Sequence, residues 1–371
     1  MRLVARCLRG IEWICAAELA AAGAHVEAVE HRLVECRAAP GPALLGAGTV
    51  DDLFLLGLRL TGAGRQRTAL AEVRAQVERL EAGPLLAAVE AVRPLPADAP
   101  FEVVASFLGR RNYSRFEIER AAGEGLERAL GRRFVPGPLG ADEHPPLSWR
   151  VHLYDEGGFL GLRLAAAPLH RRPYKLDSLA GTLHPPLARA AAALGGVAPG
   201  DRVLDPFCGA GTMLLEAGGE QPAARLVGAD IAAGAVRSAG ANAERAGVRA
   251  ALLVADAGRL PLADGAAGVV LTNPPWSRRL APAGSLAGGL EPFWREAARV
   301  TAGRVVVVLE ELEDQAEPIA AAGLEPVVLQ RVAVSGAWTT LGLLAPAGRR
   351  RAELARLAAL GLRPMSGAAP A

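Results

Sequence analysis

The feature that most constrains this chain lies in its C-terminal half. Short apolar runs recur there, and each ends in a polar residue: "RVLD" at Asp205, "LVGAD" at Asp230, "LLVAD" at Asp256 and "VVLTN" at Asn273. Runs this short and this apolar read as strands buried on both faces. The pattern predicts strands at Arg202–Asp205, Arg225–Asp230, Ala250–Asp256, Val269–Thr272, Arg304–Leu309, Glu325–Val334 and Thr339–Leu344. Helical stretches are expected between the first five. That alternation fits an open, doubly wound α/β sheet, which takes its ligands at the carboxyl ends of the strands.

The first of these ends carries a glycine-rich turn, Gly209-Ala210-Gly211, with Thr212 opening a helix. Glycines let a ligand approach the backbone, and a helix N-terminus favours an anionic group. A dinucleotide fingerprint would add a third glycine three residues on, but Leu214 stands there. The turn therefore suits a carboxylate-bearing ligand better than a pyrophosphate. Asp230 is placed to accept ribose hydroxyls and Asp256 an adenine amino group. Either aspartate alone would also suit an ordinary post-strand turn.

The fourth end, Asn273-Pro274-Pro275-Trp276, joins an amide, a stiffened carbonyl and an aromatic plane. An exocyclic amine on a base shares its lone pair with the ring and is a poor nucleophile. The Asn273 side-chain oxygen and the Pro274 carbonyl can each accept one of its N–H bonds, which would orient the nitrogen toward an electrophile. The prolines fix the direction of the carbonyl, and Trp276 offers a stacking face.

Hydrophobic residues make up 51% of the 371, which argues against disorder over most of the chain. No apolar run is long and uninterrupted enough to span a membrane, and Arg6, Arg9 and Glu12 break the only signal-like start. The four cysteines, Cys7, Cys15, Cys36 and Cys208, form no C-x-x-C pair, so neither a zinc site nor a disulfide framework is expected. Lys175 is the sole lysine, and the net charge is only +2. Arginine clusters remain candidates for phosphate contact: Arg110, Arg111 and Arg115, then Arg171, Arg172 and Lys175.

The N-terminal half reads as strand (Leu3 to Leu8), helix (Ile11 to Ala22) and extended chain (Val26 to Arg37), followed by a Gly/Pro-rich break at 39–49. Helical stretches at Ala69 to Leu80 and Leu85 to Val92 precede a strand, Phe101 to Phe107. Ser114 and Glu117 have capping-box spacing ahead of a helix in which Gly123 and Gly125 are poor helix formers. Asp155-Glu156-Gly157-Gly158 marks a hairpin. A β-α-β arrangement with a small antiparallel sheet fits this half.

The ordered motifs Asp205 to Gly211, Asp230, Asp256 and Asn273 to Trp276 resemble those of S-adenosylmethionine-dependent amino-methyltransferases. "GRRNYSRFEIERAAGEGL", "FLGLRLAAAPLHRRPYK" and "AGTLHPPLARA" are similar to the THUMP domain and junction of the THUMP-containing RNA guanine-N2 methyltransferases. "RCLRGIEWICAAEL" is similar to their ferredoxin-like first module. The likeness runs over about residues 1 to 345.

The resemblance implies a C-terminal Rossmann-like class I methyltransferase sheet of seven strands, the last antiparallel, behind ferredoxin-like and THUMP α+β modules. The expected divisions are a ferredoxin-like module at 1–60, a THUMP-like domain at 61–168, a linker at 169–186, the methyltransferase domain at 187–348 and a basic tail at 349–371. Asp205, Pro206, Phe207, Cys208, Gly209, Gly211 and Thr212 would line the methionine end of S-adenosylmethionine. Asp230 would hold the ribose and Asp256 the adenine, and Ile231, Ala257 and Asn273 would also contact the cofactor. Asn273, Pro274, Pro275 and Trp276 would clamp a guanine amino group flipped from its stack.

Cys208 is expected to pack rather than attack, and His170 and His184 to contact phosphate or serve the structure. Relatives usually carry Gly, then Val or Leu, then Arg after the aromatic residue. Ser277-Arg278-Arg279 stand here, which leaves the base open. Transfer RNA is the expected partner ahead of ribosomal RNA, with no membrane, no metal, a monomeric state and a cytoplasmic location. A DNA-adenine or protein-glutamine amino-methyltransferase, and a non-catalytic RNA-binding protein with a vestigial cofactor fold, stay as alternatives.

Overall fold

A computed structural model describes residues 1–137, 145–179, 181–275 and 283–363. The chain divides into two compact units. One comprises Met1–Arg6, Leu19–Ala47 and Asp52–Leu169; the other comprises Cys7–Glu18, Gly48–Asp51 and His170–Ala371.

The first unit is built on a mixed sheet of β1 (Arg2–Arg6), β2 (His25–Glu30), β3 (Leu33–Arg37), β4 (Asp52–Leu60), β5 (Phe101–Phe107), β6 (Leu147–Tyr154) and β7 (Gly157–Arg163). Their order is β2-β3-β1-β4-β7-β6-β5, with only β5 and β6 parallel among the paired neighbours. The helices in this stretch of sequence are α1 (Glu12–Ala21), α2 (Pro42–Leu45), α3 (Thr68–Val77), α4 (Gly83–Glu90) and α5 (Arg115–Leu130). Hydrogen bonds between β4 and β7 carry one sheet across position 60–61, so residues on either side share it. The antiparallel sheet is thus larger than the small one expected.

β4 was not expected. "DLFLLGLRL" lacks alternation, so its sequence does not separate strand from helix; its place between β1 and β7 decides the matter. The opposite surprise is α5, which runs unbroken through two glycines. A Cβ on Gly123 would lie 2.4 Å from the Phe134 ring, and one on Gly125 would lie 2.9 Å from the Arg74 carbonyl oxygen. Close packing outweighs the helix penalty of about 1 kcal/mol per glycine. Ser114 and Glu117 do form the capping box, with the Ser114 N–H donating to Glu117 Oε2 over 2.8 Å.

The second unit holds β8 (Arg202–Asp205), β9 (Arg225–Asp230), β10 (Ala250–Val254), β11 (Ala267–Thr272), β12 (Thr301–Leu309), β13 (Leu324–Val334) and β14 (Ala337–Pro346). Their order is β10-β9-β8-β11-β12-β14-β13, and β14 runs antiparallel to both neighbours. Seven strands with the last in sequence reversed match the expected methyltransferase sheet. Val305 to Leu309 are all buried, as a strand covered on both faces requires. The helices are α6 (Pro185–Gly195), α7 (Thr212–Glu220), α8 (Ala233–Ala246), α9 (Glu291–Val300), α10 (Ala316–Ala321) and α11 (Arg350–Ala359).

One expected helix is missing. Residues 255–266 join β10 to β11 without one. Gly258, Pro261, Asp264 and Gly265 break any helical run there. Among the described residues no helix is long and apolar enough to cross a membrane.

Candidate active site

The strand order β10-β9-β8-β11 sets Asp256, Asp230, Asp205 and Asn273 in succession along one edge of the sheet, at the carboxyl ends of parallel strands. Each chain reversal there must satisfy its own backbone donors, and the four ends do so differently.

Asp205 closes β8 and is 2% exposed. Its Oδ1 accepts the Phe207 N–H at 3.1 Å and the Thr272 hydroxyl at 2.9 Å. Burial nevertheless pushes its carboxyl up to about 7, because those two donors only partly offset desolvation and Asp230 adds repulsion. A cationic ligand group beside it would favour the ionised form. Thr272, fully buried one residue before Asn273, links β11 to β8 through this bond. Sequence reasoning passed over it; a hydroxyl at the end of an apolar run was the available signal.

The glycine turn folds onto Asp230. The Gly209 N–H donates to Asp230 Oδ2 at 3.0 Å and the Ala232 N–H to Oδ1 at 2.9 Å. Gly209 (φ 51°) and Gly211 (φ 83°) both occupy the left-handed region, which explains the residue type. A Cβ at Gly209 would meet no heavy atom within 4 Å, so the backbone there faces open space. Thr212, buried at the start of α7, has an Oγ1 with no hydrogen-bond partner among the described residues. An orphaned hydroxyl at a helix start beside a bare backbone is what an amino-acid carboxylate requires. Cys208 is buried, and burial, with Asp205 and Asp230 nearby, pushes its thiol well up. It packs, and a thiol held protonated in this way is a poor nucleophile.

Asp256 follows β10 and is held by a different partner. Its carboxylate accepts the Ser285 N–H (2.8 Å), the Ser285 hydroxyl (2.7 Å) and the Gly258 N–H (2.9 Å). Burial alone would raise its pKa, but these donors outweigh that and the carboxyl lies below its ordinary value. A carboxylate has about four acceptor directions, so one remains for an adenine amino group. Ile231 stands beside it with 48% of its surface exposed, and Ala257 is buried. A Cβ on Gly284 would come within 2.8 Å of Ile231 Cδ1 and 2.4 Å of Asp256 Oδ2, so the absence of a side chain keeps this space clear. Neither Ser285 nor Gly284 carried a sequence signal.

Asn273 is half-buried, and its Nδ2 donates to the Gly181 carbonyl at 3.3 Å. That orientation leaves Oδ1 without a donor among the described residues. Pro274 is buried and Pro275 half-buried. Trp276, Ser277, Arg278 and Arg279 lie outside the described residues. Asn242, fully buried on α8, ties the glycine turn to the segment before α6: its Nδ2 donates to the Ala210 and Asp177 carbonyls, both at 3.0 Å. An asparagine in the apolar stripe of Ala235, Ala239 and Ala243 was its sequence signal.

The basic residues divide. Arg110, Arg115 and Arg171 are exposed. Arg172 is largely taken up by partners in its own unit. It forms a two-pronged pair with Glu216 (2.8 and 3.1 Å) and donates to the Gly48 carbonyl at 2.6 Å, while the Tyr174 hydroxyl donates to the same Glu216 at 2.6 Å. Arg111 likewise donates to the carbonyls of Ala63, Gly64 and Asp155, and Lys175 to that of Leu183 at 2.8 Å. These three were expected at an RNA surface, but each donates to partners within its own unit. His170 and His184 stack, with ring centroids 5.4 Å apart, and His170 Nδ1 lies 3.2 Å from the Asp51 carbonyl oxygen.

An open parallel sheet with these strand ends defines a class I methyltransferase site, whose donor is S-adenosylmethionine. Residues 172–340 match the model of the UPF0020 family, described as the RMKL-like methyltransferase domain. The chain is similar to the tRNA (guanine(6)-N2)-methyltransferase of Thermus thermophilus, with 37% identity over 48% of this chain and 52% of that one. It is also similar to the U6 snRNA (guanine-N(2))-methyltransferase THUMPD2 of Bos taurus, at 31% identity over 53% of this chain and 37% of that one. The chain thus spans about half or less of the length of these relatives. The crystal structure of TrmN from Thermus thermophilus superposes with a TM-score of 0.68 at 27% identity, over 93% of this chain and 99% of that one.

Proposed function

We propose that this chain transfers a methyl group from S-adenosylmethionine to the exocyclic N2 of a guanosine in structured RNA, with transfer RNA the favoured substrate. The observation that carries this reading is Asn273. Its amide N–H donates to the Gly181 carbonyl, which leaves Oδ1 without a donor among the described residues, next to Pro274 and one strand over from the ligand turn at Asp205. The named activities of the relatives support RNA and guanine N2.

The chain's own residues divide the work. Thr212 and the bare backbone at Gly209 receive the carboxylate end of the donor. Asp230 receives the ribose, and the space bounded by Ile231, Ala257, Asp256 and Gly284 receives the adenine. When bound, S-adenosylmethionine supplies an electrophilic methyl group on a sulfonium. Asn273 Oδ1 and the Pro274 carbonyl accept the two N–H bonds of the guanine amine and hold the nitrogen lone pair in line. They also stabilise the positive charge that develops on that nitrogen. The motif assigns the stacking face to Trp276, and the proton released afterwards passes to water. The residues ahead of 169, with ferredoxin-like and THUMP-like parts, hold the RNA, and the protein acts as a cytoplasmic monomer.

The test is acceptor choice. Methyl-labelled donor is incubated with the protein and, separately, transfer RNA, ribosomal RNA, DNA or protein, and the products are digested to monomers. Labelled N2-methylguanosine from transfer RNA is expected. Label only in DNA or protein, or none in any acceptor, would overturn the reading.

A further inference from the structure

A cavity of about 150 Å³ lies within the first unit, far in sequence from the methyltransferase motifs. Its wall includes Arg6, His31, Arg32, Arg150, His152 and Ser106, and no carboxylate lines it. The sheet geometry explains the grouping. Along β6 the buried residues Trp149, Val151 and Leu153 alternate with the less buried Arg150, His152 and Tyr154, so Arg150 and His152 share a face. β5 brings Ser106 opposite His152, and β1 brings Arg6 opposite Leu33 of β3.

The acids closest to this face are already matched. Asp52 holds Arg163 Nε through both oxygens at 2.9 and 3.1 Å, and Glu102 lies 3.9 Å from the same guanidinium. Arg150 has no hydrogen bond or ion pair among the described residues. Its Nε is buried without a partner, and its guanidinium sits 5.7 Å from the Phe54 ring centroid. Burial, with Arg6 and Arg163 nearby, pulls its pKa down to about 10. His152 shares a 2.9 Å contact with Ser106 Oγ, and burial with the surrounding arginines pushes it down to about 4. It is therefore neutral at neutral pH. Asp52 and Glu102 favour the charged form of Arg150 from a distance but are bound to Arg163, and a partly buried guanidinium with no direct acid partner is costly unless an anion completes it.

We infer that this cavity is an oxyanion site that seats one phosphate group of the RNA, with Arg150 as its principal donor. The guanidinium fork suits a phosphate through paired N–H···O bonds, and a sugar or base edge attached to that phosphate would meet the flanking Phe107 and Phe159. A free phosphate offers the same chemistry, so the source must be separated by experiment. The inference of an RNA source rests on the proposed RNA substrate; the existence of the anion site does not.

Inorganic phosphate is titrated into the full-length protein while the His152 imidazole resonances are followed by NMR. The same is done for Arg150→Met and Arg150→Lys, and methyl transfer is measured as a function of RNA concentration. Wild type should show a saturable shift of His152, which Arg150→Met abolishes and Arg150→Lys partly restores. Arg150→Met should raise the KM for RNA about tenfold, as loss of one charged hydrogen-bonding pair implies, while turnover at saturating RNA stays within about twofold. No saturable shift in wild type would overturn the site, whatever the acceptor of the methyl group. A shift with an unchanged KM would overturn the RNA assignment and leave a free-anion site. An equal loss in Arg150→Lys and Arg150→Met, accompanied by lost turnover, would show a structural arginine and overturn the inference as well.

Discussion

The two units contrast in how single buried arginines are partnered. In the second, buried arginines are matched: Arg172 with Glu216, Arg189 with Glu18, and the half-exposed Arg299 with Glu296 and Asp264. In the first, Arg163 is matched by Asp52, but Arg150 on the neighbouring strand has no hydrogen bond or ion pair among the described residues. The strand-end edge of the second sheet shows the same contrast on a small scale. Asp256 takes three donors and keeps one acceptor direction, whereas Asn273 Oδ1 has no donor among the described residues. Matched groups hold the fold, and groups with hydrogen-bonding capacity left over are those offered to a ligand. Removing a matched group should therefore cost stability, and removing an open one should cost function.

The largest effect is expected where a matched pair is broken. Arg172→Ala strands Glu216 in the interior and should lower unfolding free energy by about 3–5 kcal/mol, as read from urea denaturation. If stability is unchanged and RNA affinity falls instead, Arg172 belongs with the open group. Asn273→Ala should do the reverse. Turnover should fall about a hundredfold or more, roughly 2.7 kcal/mol in the barrier, while donor affinity by calorimetry stays within about threefold and stability is kept. Undiminished turnover would remove the acceptor role.

Asp205 sharpens the comparison through pH. Its folded pKa of about 7 exceeds the ordinary value of 3.8, so between those values the folded state binds more protons than the unfolded one. Stability conferred by the neutral carboxyl is then present at low pH and lost as pH rises from about 4 through 7, at up to about 1.4 kcal/mol per pH unit. Asp205→Asn should remove that slope. The difference between the two proteins isolates it from Glu220, whose carboxyl burial also raises to about 7. Parallel pH curves would mean that Asp205 is ionised at neutral pH without its ligand. The smallest effect is at the exposed arginines. Arg110→Ala with Arg115→Ala should weaken RNA binding several-fold and reduce the log–log salt slope by up to about 2, with stability unaltered.

How much of this was readable without coordinates follows the same division. Strand ends such as Asp205, Asp230 and Asn273 were legible because a buried parallel strand announces itself as an apolar run and its polar terminus stands out. Pairings between distant residues were not. Arg171 and Arg172 are neighbours of one type, yet one is exposed and the other meets Glu216, 44 positions away. Ser285 reaches Asp256 from 29 residues on, out of a loop with no periodicity. β4 was invisible because nine residues without alternation take their structure from the strands that flank them. The cavity at Arg150 was half legible: "WRVHLY" alternates visibly, but its convergence with Arg6 is a property of the sheet order.

The central claim is that the donor's methyl group is delivered to an amine held at the Asn273–Pro274 corner. The most direct measurement is a crystal structure of the protein with S-adenosylmethionine bound. The account predicts the ribose on Asp230, the carboxylate at Thr212 and the methyl group directed toward Asn273 Oδ1, across a gap that admits a purine edge. A methyl group pointing away from that corner, or a corner closed to a base, would contradict it.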